Sequence, residues 1–205
     1  MKLRIMSVMN VVIVLALVLV FFFPGNMAYG QQPTQEEQDK MMKAWMEYAS
    51  PGANHKYLEG MAGNWDVAMK MWMYPGAEPS VDKGTADAKM ILGGRYLYVY
   101  NTGQAMGMPM EGIFITGFDN LSKKFNSLWI DNMGTGFFPS SGTLDETGKI
   151  KTETGMWDDY TTGKKVPVKL IHKIIDADKY VFEMYVQDIK GVEFKTMEAT
   201  YTRKK

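Results

Sequence analysis

At residue 65 the apolar pattern settles into a period of two, and that period governs what this chain can fold into. In Trp65–Tyr74 the odd positions Trp65, Val67, Met69, Met71 and Met73 are apolar, while Asp66 and Lys70 occupy the other face. A repeat of two is the repeat of a half-buried strand. Further extended runs are Thr85–Leu92, Arg95–Asn101, Gly112–Phe118, Lys124–Asp131, Phe138–Leu144, Ile150–Trp157, Val166–Ile175, Lys179–Gln187 and Glu193–Arg203. Several gaps share one grammar, in which an Asp closes a strand (Asp119, Asp145, Asp158, Asp176) and Gly or Lys opens the next. Asp and Asn bond their own backbone in turns, and Gly supplies positive φ. Short strands joined in order by tight turns make a meander, completed most simply as an antiparallel up-and-down barrel that removes its own edges. The predicted class is all-β, with a barrel of about ten strands over residues 63–205.

Residues 31–62 read differently. Thr34 with Glu37 forms a capping box, and Met41, Trp45 and Tyr48 recur at helical spacing until Ser50-Pro51-Gly52 stops the run. A second short helix is predicted from Ala53 to Met61. Residues 1–30 have the layout of a cleavable secretory signal: Lys2 and Arg4, an apolar run from Val11 to Phe23, Pro24-Gly25, then Ala28 and Gly30 at −3 and −1 before Gln31. The expectation is an exported protein, periplasmic or extracellular, without stable membrane insertion after cleavage.

Loss of Lys2 and Arg4 leaves 21 basic against 23 acidic residues, a net charge of −2. That balance argues against nucleic acid, whose affinity needs clustered Lys and Arg. The absence of Cys excludes disulfides, thiolate metal sites and a Cys nucleophile. No nucleophile elbow, paired-His metal motif or phosphate loop occurs, so no catalytic residue is assigned.

Gly63-Asn64-Trp65 opening the first strand resembles the Gly-x-Trp of lipocalin-type barrels, with Arg203 where their tryptophan-packing Arg lies. Longer runs resemble a bacterial family, the domain of unknown function 1579. They are Tyr48-Ala49-Ser50-Pro51-Gly52 with His55, Met73-Tyr74-Pro75-Gly76-Ala77-Glu78-Pro79, and Gly93-Gly94-Arg95-Tyr96-Leu97. Further on come Met106-Gly107-Met108-Pro109 with Glu111-Gly112, Gly117-Phe118-Asp119-Asn120, Trp129-Ile130-Asp131, and Met197-Glu198 through Tyr201-Thr202-Arg203. Ala199 stands where the family usually has an aliphatic residue. The resemblance spans about residues 40–205 and implies a lipocalin-like (calycin-type) barrel with no assigned activity. It also implies that Trp65 and Arg203 meet where the barrel closes.

His172 shares a strand face with Val166, Val168, Leu170 and Ile174, opposite Lys169 and Lys173, so it is expected in the lumen. There it is a core histidine, a ligand contact, or a general base or haem ligand; no cofactor is predicted, and haem stands as the alternative. Met106-Gly107-Met108-Pro109-Met110 is dense in thioethers, which bind Cu(I), but methionine also fills irregular apolar space; no metal is assigned. The acidic residues near turns lack the spacing of a Ca²⁺ loop. Glu183 and Glu198 are expected to be exposed or ion-paired. Arg95 is read on the face of Leu97 and Val99, as an anchor for a ligand carboxylate or a member of an internal salt bridge.

A barrel of this size encloses side chains plus at most one small ligand. The leading expectation is a non-enzymatic binding protein for a small apolar or amphipathic molecule. Its predicted lining is Met69, Met71, Tyr98, Trp129, His172, Phe182 and Met184, with Arg95 or His172 fixing a polar group. The alternatives are a haem-binding or enzymatic barrel using His172, and a filled barrel that engages a protein partner through its outer face or N-terminal helix.

Overall fold

The computed structural model of the chain describes residues 32–160, 162–188 and 190–205. The signal segment lies outside the described residues. Two compact units divide after Lys43. In the first, Thr34 caps the opening turn of α1 (Gln35–Ala49): the Glu37 N–H donates to the Thr34 hydroxyl, and the Thr34 N–H donates to the Glu37 carboxylate at 2.8 Å. The predicted stripe of α1 is not a packing face. The helix buries none of its side chains, and Met41, Trp45 and Tyr48 are all exposed. No helix among the described residues is long and apolar enough to cross a membrane.

In the second unit, α2 (Ala53–Glu59) precedes ten strands: β1 (Gly63–Met71), β2 (Ser80–Ile91), β3 (Tyr96–Ala105), β4 (Met108–Asp119), β5 (Lys124–Asp131), β6 (Phe138–Leu144), β7 (Ile150–Asp158), β8 (Lys165–Asp176), β9 (Lys179–Gln187) and β10 (Glu193–Arg203). Each pairs antiparallel with its sequence neighbours, and β1 pairs β10, so the sheet closes as a barrel. Ten strands in meander order were the expectation, and the bounds of β5, β6, β9 and β10 match it to the residue. β2 and β4 begin several residues earlier than predicted because polar and Gly-containing stretches such as Ser80–Gly84 still pair through their backbone.

Closure places Trp65 opposite Arg203 in register, with the guanidinium 4.2 Å above the indole. The indole N–H donates to the Met61 carbonyl, and Tyr180 packs edge-on at 4.8 Å. Arg203 also donates to the carbonyls of Gly60, Ala62 and Ala177, tying the segment after α2 to the β8–β9 turn. Gly63 is fixed by this arrangement: at φ +132° it holds a conformation L side chains avoid, and a Cβ there would stand 2.3 Å from Arg203 Nη1.

The same end of the barrel is sealed by α2. Leu58, Met61, Trp65, Leu97, Phe125 and Tyr180 form one buried cluster. Three of the family-like motifs meet just outside it. Arg95 donates to the Ala49 carbonyl at 2.7 Å, Asn120 donates to the carbonyls of Tyr48 and Ser50, and His55 Nδ1 accepts the Gly52 N–H at 2.9 Å. These motifs latch the Ser50-Pro51-Gly52 corner onto the β2–β3 and β4–β5 turns. Burial, the largest influence, holds the His55 pKa below its ordinary value, which suits a ring nitrogen that accepts a bond.

Candidate functional site

Strand alternation stacks the inward side chains in layers above the sealed end. The first inward positions include Trp65, Leu97, Phe118, Phe125, Lys151 and Tyr180; the second include Thr116 on β4, Ser127 on β5, Glu153 on β7 and His172 on β8. These four, with Lys151, form a polar ring across half the barrel wall. Lys151 and Glu153 are fully buried, and their ion pair measures 3.0 Å. Ser127 donates to Glu153 Oε1 at 2.5 Å, its oxygen lies 2.8 Å from the Thr116 hydroxyl, and Lys151 reaches Thr116 at 3.5 Å. The ammonium also lies about 5.4 Å from the ring centres of Phe114 and Phe125. Burial pushes the Lys151 pKa down, while Glu153 opposes that shift.

His172 completes the ring without being satisfied by it. Only 5% of its surface is exposed, yet neither ring nitrogen has a hydrogen-bond partner among the described residues. Nε2 stands 3.8 Å from Glu153 Oε2, too far for a hydrogen bond. Phe114 stacks on one side of the imidazole at 5.7 Å, and Phe182 tilts against it at 4.9 Å. Burial, then the neighbouring Lys151 charge, holds its pKa well below the ordinary histidine value. The ring is a neutral imidazole with one donor and one acceptor unused. Ser140 Oγ, across from Ser127 in register, and the Tyr57 hydroxyl are also buried and unpartnered.

Above the ring the lumen is largely apolar, with Asn101 on β3 as a buried polar member that donates to the Val99 carbonyl and accepts from the Tyr201 hydroxyl, each at 3.5 Å. Met69, Phe114, Trp129, Leu170, Met184 and Ala199 occupy the third inward positions; Met71, Phe138, Trp157, Val168 and Met197 come next. Phe114, Trp129, Trp157, Phe182 and Met184 point inward and are nonetheless half-buried, so solvent reaches part of each of these side chains. Gly112 makes room for Trp129, whose ring would lie 2.3 Å from a Cβ at that position. Asp82 is inward at the rim, with one buried carboxylate oxygen unpartnered. A separate open depression of about 610 Å³ lies over Asn64, Thr85, Asp87, Tyr100, Thr102 and Lys204 on the outer wall, away from this chemistry.

The structure therefore brings together Met69, Met71, Trp129, His172, Phe182 and Met184. Two expected members are elsewhere. Tyr98 faces outward beneath the Lys89 ammonium, because Leu97 and Val99 take the inward positions on β3. Arg95 precedes β3 in the turn and is exposed; its guanidinium binds backbone carbonyls of Leu92 and Ala49 rather than entering the lumen. The Met106–Met110 run is likewise split: Met106-Gly107 turn the β3–β4 hairpin with φ of 53° and 76°, Met108 is exposed, and Met110 faces in. Glu183 faces outward, as its alternation with Phe182 and Met184 suggested, and pairs Lys173 at 2.7 Å and Lys195 at 3.6 Å. Glu198 pairs Lys195.

Sequence reasoning missed Lys151, Glu153, Ser127 and Thr116. On β7 it had no clear face to choose: the odd positions hold Lys151, Glu153, Gly155 and Trp157, the even ones Ile150, Thr152, Thr154 and Met156. Ile150 and Met156, the obvious core candidates, are exposed. The available signal was β8, whose in-register pairs Lys151↔His172 and Glu153↔Leu170 carry the facing of Leu170 and His172 onto β7.

One solved structure supports this architecture. The crystal structure of Rv2717c from M. tuberculosis superposes with a TM-score of 0.57 at 14% identity, covering 76% of this chain and all of that one. A redesigned β-barrel aligns with a TM-score of 0.38 at 12% identity, over 73% of this chain and 96% of that one. No curated protein matches the sequence. The model of a family described as a protein of unknown function, DUF1579, matches residues 50–203, from the latched corner to the closing arginine, and the chain belongs to that family.

Proposed function

We propose that this protein is an exported, non-enzymatic carrier of a small apolar or amphipathic molecule, held in the lumen with its polar group at the His172 ring. The observation that carries the reading is the neutral, buried imidazole with both nitrogens unpartnered, beneath inward apolar side chains that stay half-buried. A buried polar group left unsatisfied costs about 1–3 kcal/mol, which a guest offering a hydrogen bond recovers. The methionines along the wall, Met69, Met71, Met184 and Met197, supply flexible and polarisable contacts that adapt to guest shape. The signal-like residues 1–30 support export.

The test is mass spectrometry of an organic extract of the protein purified from its native host, together with its visible spectrum and N-terminal sequence. The expected result is a stoichiometric low-mass compound, no Soret band, and a chain starting at or near Gln31. A Soret band would replace carriage with haem binding through His172. An empty extract, with no lumen probe binding the protein, would leave the exposed α1 stripe and partner docking as the better account. Full-length protein in the membrane fraction would overturn export.

A further inference from the structure

We infer that the polar group this lumen accepts is uncharged and both donates and accepts hydrogen bonds, as an alcohol does, rather than a carboxylate or an ammonium. The inference rests on the carrier reading and narrows it to a class of guest.

Charge is the first argument. Among the described residues, Lys151 is the one lysine or arginine directed into the barrel above the Arg203 closure, and Glu153 already neutralises it at 3.0 Å. The remaining lysines of β8 and β10 near this wall are turned outward: Lys169 pairs Glu193, Lys173 pairs Glu183, and Lys195 pairs Glu183 and Glu198. An anionic guest that reaches the ring therefore meets no free cation. It also passes Asp82 at the rim, whose carboxylate faces inward. A cationic guest finds Glu153 engaged by Lys151 and Ser127, and Asp131 on β5 engaged by the Trp129 indole and the Met133 and Gly134 N–H groups, which leaves the rim carboxylate of Asp82 to attract it before it reaches the ring. Either ion loses its hydration shell without gaining a counter-charge, the costly case for a buried charge.

Unused valences are the second argument. Glu153 Oε2 makes no hydrogen bond but faces the Lys151 ammonium at 3.0 Å; the other groups left open at the ring are neutral, namely one donor and one acceptor on the imidazole of His172 and the hydroxyls of Ser140 and Tyr57. A hydroxyl on the guest can accept from one ring nitrogen or donate to the other, while a carboxylate can only accept and an ammonium can only donate. Burial and the Lys151 charge both oppose protonation of His172, so the imidazole does not become the missing cation.

The test uses three probes with the same decyl chain: 1-decanol, decanoate and decylammonium. Binding to the delipidated full-length mature protein is followed by fluorescence of Trp129 and Trp157, which line the upper lumen. The expected order places decanol at least about tenfold tighter than either ion, and His172→Phe brings decanol down to the level of decanoate. Equal affinities for all three, or tightest binding of an ion, would overturn the neutral-group inference while leaving carriage standing. Failure of every probe, with an empty native extract, would overturn the carrier reading and this inference with it. Tighter decanol binding that His172→Phe leaves unchanged would also overturn it, because the selectivity would then arise outside the ring.

Discussion

The sealed end of the barrel and the ring just above it are built from the same kinds of residue and treat their polar groups in opposite ways. At the sealed end, Arg203 donates to three carbonyls, the Trp65 indole donates to Met61, and Asn120 donates to two carbonyls of the chain entering α2. One layer up, His172 presents two unpartnered nitrogens, and Ser140 an unpartnered hydroxyl, in surroundings almost as buried. A fold selected only for stability has no use for the second arrangement. The difference teaches where to look: the motifs around Ser50-Pro51-Gly52, Arg95, Asn120 and Arg203 hold the barrel shut, and the ring residues Thr116, Ser127, Glu153 and His172, none of them in a family-like motif, stand where a guest's polar group would arrive.

Substitutions can break this comparison. The largest effect is expected at the sealed end, where Trp65→Ala removes a buried indole and its contacts with Arg203 and Tyr180. The expected loss is about 3–5 kcal/mol in urea denaturation; a loss under about 1 kcal/mol would show that closure does not depend on it. Next comes the buried ion pair. Glu153→Gln leaves the Lys151 ammonium unpaired at full burial, with an expected loss of about 3–4 kcal/mol. The double substitution Lys151→Met with Glu153→Leu should recover most of it, since an apolar pair of similar volume is often neutral or stabilising. A double variant as unstable as the single would mean that the pair contributes net stability, contrary to its description here as a self-neutralised part of the ring.

Smaller effects sharpen the picture. Asn120→Ala deletes both bonds to the Tyr48–Ser50 corner and should cost about 1–2 kcal/mol, with no change in lumen binding. The pH dependence of His172 follows from its depressed pKa. A histidine held neutral in the fold and free to protonate in the unfolded chain contributes full stability above its unfolded value near 6.5. As pH falls below that value the unfolded chain takes up the proton first, and stability falls by up to about 1.4 kcal/mol per pH unit until the folded pKa is reached. His55 titrates in the same direction. The difference between wild type and His172→Phe in denaturation between pH 7 and 5 isolates the lumen residue. Identical profiles would contradict a neutral buried imidazole.

The sequence carried the scaffold further than the site, for a physical reason. Period-two alternation on β1 and β8 and Asp-Gly punctuation at the turns are local signals, so ten strands and the inward facing of Met69 and His172 were legible. The Trp65–Arg203 contact was legible through the resemblance to lipocalin-type barrels. The ring was not, because Lys151 and Glu153 are tolerable inside only together, and that compensation appears only when β5, β7 and β8 are side by side. Arg95 was misplaced because it lies one residue before β3, in the turn, where the alternation that puts Leu97 and Val99 inward no longer fixes a side chain's facing. Tyr98 sits in a strand with bulky residues on both faces, where alternation alone does not choose.

The measurement that bears most directly on the division between holding and receiving is the paired effect of His172→Phe on stability and on binding. The side chain makes no hydrogen bond among the described residues and packs between two aromatic rings. A phenyl ring at that position should leave the urea midpoint at pH 7 unchanged or raised, while weakening decanol binding by about tenfold or more. A variant that loses stability by several kcal/mol and binds the probe as wild type does would place His172 among the residues that hold the barrel together, and would contradict the account.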